Sequence, residues 1–291
     1  MTVRAPRFER VEGEPLVELP PFDVAATRVE SLLAGEARTW VVVPALNEAS
    51  MIRATLDALG AQWLRPLVVC VVDNGSSDGT QDVVRAWAAA MAARPAGSTP
   101  PPGLRLAYER EKGTGAAADT GMRVAIAAGA SLLLRTDADT LPRRDWAARL
   151  VARLDAGNDL VAGRVVDRDD EGTDWARRLA LAALITATAA ISVPRNRGPR
   201  YRTRFRMLVG SNVGIRATTY VEAGGFPRAA IEEVHDDRAL MNRVRRVSDR
   251  ITSEHGAVVA TSIRRYRRYG TLGIIRWYLR HETDGAPVDV R

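Results

Sequence analysis

At 291 residues, 46% hydrophobic and 26% charged, the chain has the make-up of a soluble globular protein with a sizeable core, not of a disordered or fibrous one. One cysteine, Cys70 in an apolar run, excludes a disulfide framework, suits a reducing compartment and reads as a core thiol. The net charge of +7 is uneven: residues 195–291 carry 20 arginines against 10 acids, while residues 1–194 carry 22 basic groups against 25 acids.

Residues 1–37, with Pro6, Pro15, Pro20 and Pro21 among scattered charges, read as an N-terminal extension ending in a short helix over 24–33. Residues 39–44 form an apolar strand of the buried parallel kind. Ala45-Leu46-Asn47-Glu48 then turns into a helix over 49–59, with Ile52, Leu56 and Leu59 on one face. A second buried strand at 67–72 ends in Asp73-Asn74-Gly75-Ser76-Ser77-Asp78-Gly79-Thr80. This loop of small polar residues opens a helix over 81–91, with Asp78 suited to cap it. An exposed link at 96–103 leads to a strand at 104–108, to Lys112-Gly113-Thr114-Gly115, and to an alanine-rich helix ending at 128.

The fourth strand, 131–134, runs into Arg135-Thr136-Asp137-Ala138-Asp139-Thr140, after which Pro142 suits the first turn of a helix. Residues 159–166 read as another strand and 175–193 as an apolar helix too short and alanine-rich for a membrane span. Arg200, Arg202, Arg204 and Arg206 alternate with Tyr201, Thr203, Phe205 and Met207, which predicts a strand with four guanidiniums on one face. Such a row is either a solvated face or a seat for a phosphate-bearing ligand. Asp236 and Asp237 precede an apolar helix, where carboxylates favour the N-terminus. His235 and His255 are isolated and read as structural.

Repeated strand–helix alternation predicts an α/β fold with a mostly parallel sheet and helices on both faces. Ligands of such sheets bind at the carboxyl ends of the strands. Residues 44–48, 73–79 and 137–139 all fall there, so three polar loops converge on one crevice. Asp137 and Asp139 at a strand end can reach magnesium or manganese together with its phosphate ligands, although Asp-x-Asp is also ordinary turn chemistry. Lys112 precedes its glycines and no Gly-Lys-Ser/Thr follows, so this is not a Walker loop; Lys112 either contacts phosphate or is a surface lysine.

Val-Val-Val-Pro-Ala-Leu-Asn-Glu, Val-Val-Asp-Asn-Gly-Ser-Ser-Asp-Gly-Thr, Lys-Gly and Thr-Asp-Ala-Asp-Thr, in this order over about 100 residues, resemble the nucleotide-binding half of a family 2 glycosyltransferase of the GT-A fold. The resemblance implies a single GT-A domain over 38–291, with a nucleotide-sugar half at 38–145 and an acceptor half at 146–291. It implies that Pro44, Ala45, Asn47 and Glu48 line the nucleoside pocket together with Asn74 and Gly75, and that Asp73 accepts from a pyrimidine ring. Asp137 then reaches ribose or metal, and Asp139 ligates a Mn2+ or Mg2+ ion. The segment 208–227 resembles the start of the family's acceptor side. Asp236-Asp237-Arg238-Ala239-Leu240 resembles the Asp-Asp-Arg-x-Leu pattern of inverting members, which selects Asp237 as general base with Asp236 beside it.

The Gln-x-x-Arg-Trp motif of processive members is missing. In its place stand Arg264, Arg265, Arg267 and Arg268, expected to close over the diphosphate or else to be basic surface. The expected reaction is therefore transfer of one sugar, UDP-linked by preference, to a hydroxyl of a small-molecule, lipid-linked or glycan acceptor. The expected setting is cytoplasmic, with a peripheral membrane contact left open and no nucleic-acid partner. A sugar-1-phosphate nucleotidyltransferase would need a glycine-rich basic loop after the first strand, which Pro44-Ala45-Leu46-Asn47-Glu48 is not. A basic nucleic-acid-binding protein would interleave aromatics with its arginines, and aromatic content is 5%.

Overall fold

Val41, Val43 and Ala45 point to one side of strand β2 (Thr39–Ala45), and Trp40 and Val42 to the other. β3 (Val68–Asp73) repeats the division, with Val69 and Val71 against Val68, Cys70 and Val72. A strand apolar on both faces must be covered on both, and two separate cores result. The structure is a computed structural model and describes residues 24–168, 198–228, 236–262 and 264.

One core lies under α1 (Ile52–Gly60), α2 (Thr80–Ala92) and α4 (Trp146–Asp155). The other lies under α3 (Thr114–Ala127), α5 (Ala217–Glu222) and α6 (Asp236–Val247). Between them the remaining strands are β1 (Val29–Leu33), β4 (Gly103–Tyr108), β5 (Leu132–Arg135), β6 (Thr140–Pro142), β7 (Leu160–Asp167), β8 (Val213–Arg216) and β9 (Ile251–Thr261). Their order across the sheet is β1-β4-β3-β2-β5-β8-β7-β9-β6. β4, β3, β2 and β5 are parallel neighbours, so the chain builds outward from β2 and then crosses back to lay β5 on its other side. The sheet thus has its switch point between β2 and β5, and the crevice opens at their carboxyl ends.

β8 runs antiparallel to both β5 and β7, and β9 runs parallel to β7. The carboxyl ends of β7 and β9 therefore reach the same edge as that of β5. This places Thr261, and with it Arg264, at the crevice.

Three expectations give way. Residues 24–33 are not a helix but a 3-10 turn (Val24–Ala26) followed by β1, which pairs antiparallel with β4. Alternating exposure along Val-Glu-Ser-Leu-Leu is the mark of an edge strand covered on one side. Pro142 does not open a helix; it ends β6, the outermost strand, where a missing N–H costs no ladder bond. Residues 200–207 form no strand, although Arg202, Arg204 and Arg206 are exposed and Phe205 is buried. That segment lies along α6 instead, tied by the Arg202 N–H to Arg245 O (2.8 Å) and by Arg245 to Thr203 O. The helix expected at 175–193, and His235, lie outside the described residues. No helix among the described residues is long and apolar enough to cross a membrane.

Candidate active site

The loops after β2 and β3 are stitched into one wall. Asn47 takes a left-handed backbone (φ 53°), and its Oδ1 accepts from the Ser77 N–H at 2.9 Å. The Glu48 N–H donates to Thr80 Oγ1 at 2.8 Å, and the Glu48 carbonyl accepts from Ile52 to start α1. Asp78 accepts from the Thr80 and Ala49 N–H groups and so joins the two loops, but the N-cap of α2 is Gly79, at φ 88°, with no side-chain cap bond, so Asp78 is not the cap expected of it. Pro44 and Ala45 are the buried last residues of β2.

Asp73 ends β3 and is 2% exposed. Its Oδ2 accepts from the Gly75 and Ser76 N–H groups (both 3.2 Å) and from Gln81 Nε2 (2.8 Å). Its Oδ1 is buried without a hydrogen-bond partner among the described residues. An acceptor left over in this way is costly unless a donor arrives. Gly75, at φ 86°, is exposed beside it. Asn74 is occupied otherwise: its amide donates to the Glu109 and Glu111 carbonyls and accepts from the Gly113 N–H, which shapes the loop bearing the exposed Lys112.

On the other side of the switch point, the turn after β5 carries Asp137 and Asp139. It is pinned from below by Thr55 Oγ1 donating to the Ala138 carbonyl at 2.7 Å and by Arg168 Nη1 reaching the Asp139 carbonyl at 3.3 Å. Asp139 Oδ2 accepts from Arg264 Nη2 at 2.9 Å. The same nitrogen lies 2.7 and 2.8 Å from the two carboxylate oxygens of Glu48. One cationic nitrogen is thus held by three carboxylate oxygens from both sides of the switch point. Arg265, Arg267 and Arg268 lie outside the described residues.

Asp236 and Asp237 form the first turn of α6. Asp236 Oδ1 accepts from the Asp237 N–H (2.9 Å), and Asp237 Oδ1 accepts from the Arg238 N–H (2.6 Å). Burial, reinforced by the negative charge of Asp236, pushes the Asp237 carboxyl up to about 7, whereas the Arg238 N–H and Arg135 pull the other way. That value suits a group that must accept a proton near neutral pH.

The residue that joins the two acid sets carried no expected role. Arg135, 2% exposed at the end of β5, donates from Nη1 to Asp236 Oδ2 (2.8 Å) and from Nη2 to Asp137 Oδ1 (3.4 Å). A cation closing an apolar strand is the available sequence signal, since a buried arginine demands partners. Arg228 is a second such residue: it ion-pairs with Glu109 (2.7 Å), Glu111 (2.9 Å) and Asp119 (3.3 Å). It thereby fixes the Gly225-Phe226-Pro227 loop to α3. His255 is exposed in mid-β9, where the pairing register with β7 shifts, and not at the crevice edge.

A switch-point crevice lined by strand-end carboxylates on a mixed sheet, joined through Arg135 to a second acid pair, fits a GT-A architecture. Residues 40–220 match glycosyl transferase family 2, and the chain belongs to that family. It is 34% identical over 129 residues to glycosyltransferase AglE of Haloferax volcanii, covering 43% of this chain and 38% of that protein. The chain spans about half the length, or less, of such curated relatives. Among solved structures, S. aureus TarS residues 1–349 in complex with UDP superposes with a TM-score of 0.55 at 15% identity, over 84% of this chain and 65% of that one. Mannosyltransferase PcManGT of Pyrobaculum calidifontis, in complex with GDP-Man and Mn2+, gives 0.53 at 22% identity, over 89% and 69%. At these identities the likeness is one of fold.

Proposed function

We propose that the chain transfers a single sugar from a nucleotide diphosphate donor to an acceptor hydroxyl, with inversion and with help from a divalent cation. The observation that carries this is the meeting, within one crevice, of strand-end carboxylates and an acid pair whose second member is tuned to about 7. In this reading residues 38–145 form the donor half and residues 146–291 the acceptor half of one domain. Asp73 Oδ1, buried and without a partner, receives a nucleobase N–H. Asn47 and Gly75 shape the pocket around it, and Asn74 contributes by holding the 109–113 loop, where the exposed Lys112 can meet phosphate.

The residues present fit a cation held by few carboxylates. No group of three or more His, Cys, Asp or Glu side chains able to hold an ion occurs among the described residues. Magnesium and manganese sites built on one or two carboxylates plus substrate phosphates need none. Glu48 and Asp139 already enclose positive charge at 2.7–2.9 Å, so the spot favours a cation. Asp139, with Asp137, would hold the metal, which when bound offsets the charge of the departing diphosphate as a Lewis acid. Arg264, beside Asp139, would then offer its guanidinium to the diphosphate.

Asp237 accepts the proton of the acceptor hydroxyl as that oxygen attacks the anomeric carbon from the face opposite the leaving group. A single displacement inverts the configuration. The test is nucleotide release in the presence of Mn2+ from UDP-glucose, UDP-N-acetylglucosamine and GDP-mannose; the two structural neighbours are complexed with UDP or UDP-GlcNAc and with GDP-Man. Asp237→Asn keeps the shape and removes the base, so turnover falls by roughly two or more orders of magnitude while UDP binding holds. Full turnover in this variant refutes the assignment, and loss in Asp236→Asn alone moves it one residue.

A further inference from the structure

Arg135 stands where the sequence of β5 calls for another leucine. Leu132, Leu133 and Leu134 precede it, all buried, and the strand packs into both cores. Placing a guanidinium there is expensive, and replacing a buried ion pair by apolar side chains is often neutral or favourable for folding. Stability alone is therefore a poor reason for this residue. Its surroundings are also imperfectly satisfied: Nε is buried with no hydrogen-bond partner among the described residues. The other contacts are specific. Nη1 reaches Asp236 on α6, Nη2 reaches Asp137 on the turn after β5, and the guanidinium carbon lies 4.7 Å from the centre of the Phe226 ring. A methyl group added at Gly210 would stand 3.0 Å from the guanidinium carbon and from both terminal nitrogens, so the backbone there closes directly against it.

We infer that Arg135 is a positioning residue that sets the distance between the donor-side turn and the acid pair, through its paired contacts to Asp137 and Asp236. The inference rests on the glycosyltransferase reading above and adds to it the part that aligns its two halves. Asp236 and Asp137 are 99 positions apart in sequence and belong to different elements. Arg135 is a planar fork with donors at fixed angles, so it fixes direction as well as separation. The arms are unequal. The 2.8 Å arm to buried Asp236 is a firm charge-assisted bond, whereas the 3.4 Å arm to the more open Asp137 is long. The firm arm therefore anchors the start of α6. Asp236 held in this way leaves its neighbour Asp237 in a constant place. α3 supports the same spot, because a Cβ on Gly115 would lie 3.3 Å from the Asp236 Cβ and would overlap the Pro227 carbonyl.

The experiment compares Arg135→Met, Arg135→Lys, Asp236→Asn, Gly210→Ala and the double variant Arg135→Met/Asp236→Asn. It measures nucleotide release from whichever of UDP-glucose, UDP-N-acetylglucosamine and GDP-mannose the wild type consumes, calorimetric binding of UDP with Mn2+, and the folding midpoint. Misplacement of a catalytic group by an ångström can cost about 100-fold, so Arg135→Met should lower kcat by that order, with donor KM and UDP affinity changed by no more than about threefold. Arg135→Lys keeps the charge and loses the fork; it should recover the folding midpoint far more than kcat. The double variant should be no slower than the worse single one, because both disrupt one link. Gly210→Ala, which alters no charge, should lower kcat in the same direction, and it answers the question if Arg135→Met does not fold.

Arg135→Met with wild-type kcat overturns the inference. So do losses that multiply in the double variant, and so does a kcat that returns with the folding midpoint in Arg135→Lys, which marks a purely structural role. Should Asp237→Asn retain full turnover, the base assignment falls separately, and the Arg135–Asp236 link is still judged by the double variant. If the wild type releases nucleotide from none of the three donors and binds neither UDP nor GDP with Mn2+, the nucleotide-sugar reading above fails and this inference fails with it.

Discussion

At the scale of single residues, charge placement decides behaviour. In the ligand-free protein Asp237 has its carboxyl raised from 3.8 to about 7, first by burial and then by Asp236. Only the ionised form accepts a proton, so kcat/KM should climb as pH rises through about 7 and lose that limb in Asp237→Asn. Folding has the opposite slope. Between about 4 and 7 the folded chain keeps a proton at Asp237 that the unfolded chain has lost, so this group's stabilising contribution declines as pH rises across that window. Chemical denaturation at pH 5 and pH 8 measures it, and equal slopes in wild type and Asp237→Asn would refute the raised value. Arg264 gives a second prediction. Its nitrogen occupies the space between Glu48 and Asp139 that positive charge favours. Arg264→Ala should tighten Mn2+ binding in the absence of nucleotide and lower kcat. Unchanged manganese affinity and unchanged kcat together would make Arg264 a structural pin, while an Asp139→Ala control that still binds Mn2+ normally would refute the metal assignment itself.

At the scale of elements, close packing explains what the sequence made legible and what it hid. β2 and β3 were readable because a strand buried on both faces leaves an unbroken apolar run, and α3 because its alanines let a helix lie low on the sheet. Gly121 marks the closest approach: a Cβ there would lie 2.7 Å from Val72 Cγ2 and nearer still to Val42. Gly121→Ala gains about 0.5–1 kcal/mol of helix propensity. Overpacking a buried interface costs typically about 1–3 kcal/mol, and both valines are fully buried, so the net effect should be a lower denaturation midpoint. A midpoint raised by this change would show that α3 can lift off the sheet. β1 and β6 escaped the sequence reading because an edge strand of three to five residues has too little pattern to separate it from a short helix. The arginine row at 200–206 misled for the opposite reason. Its alternation is real, but it reflects one side pressed against α6 and not a ladder partner.

At the scale of the whole molecule, local chemistry was visible in the sequence where it lies in short motifs and invisible where it spans the fold. Asp73, Asp137, Asp139 and the Asp236–Asp237 pair announce themselves by position, whereas Arg135 meets Asp236 across 101 residues and Arg264 meets Glu48 across 216. Those long contacts exist because β5, β7 and β9 all deliver their carboxyl ends to one edge of the sheet. The same geometry makes a prediction for the entire chain. Adding Mn2+ with UDP, and separately with GDP, should slow amide exchange at residues 45–49, 73–80, 109–113 and 136–140, all at that edge. The start of α6 should slow with them, because Asp236 is tied through Arg135 to the turn that carries Asp137. The links at 61–67 and 93–102 join helices to the amino ends of β3 and β4 at the opposite edge, so their exchange should be unaltered. The nucleotide that protects the 73–80 loop more strongly identifies the base that Asp73 reads. Protection confined to the opposite edge would place the nucleotide outside the crevice, and protection by neither nucleotide would remove the basis for a nucleotide-linked donor.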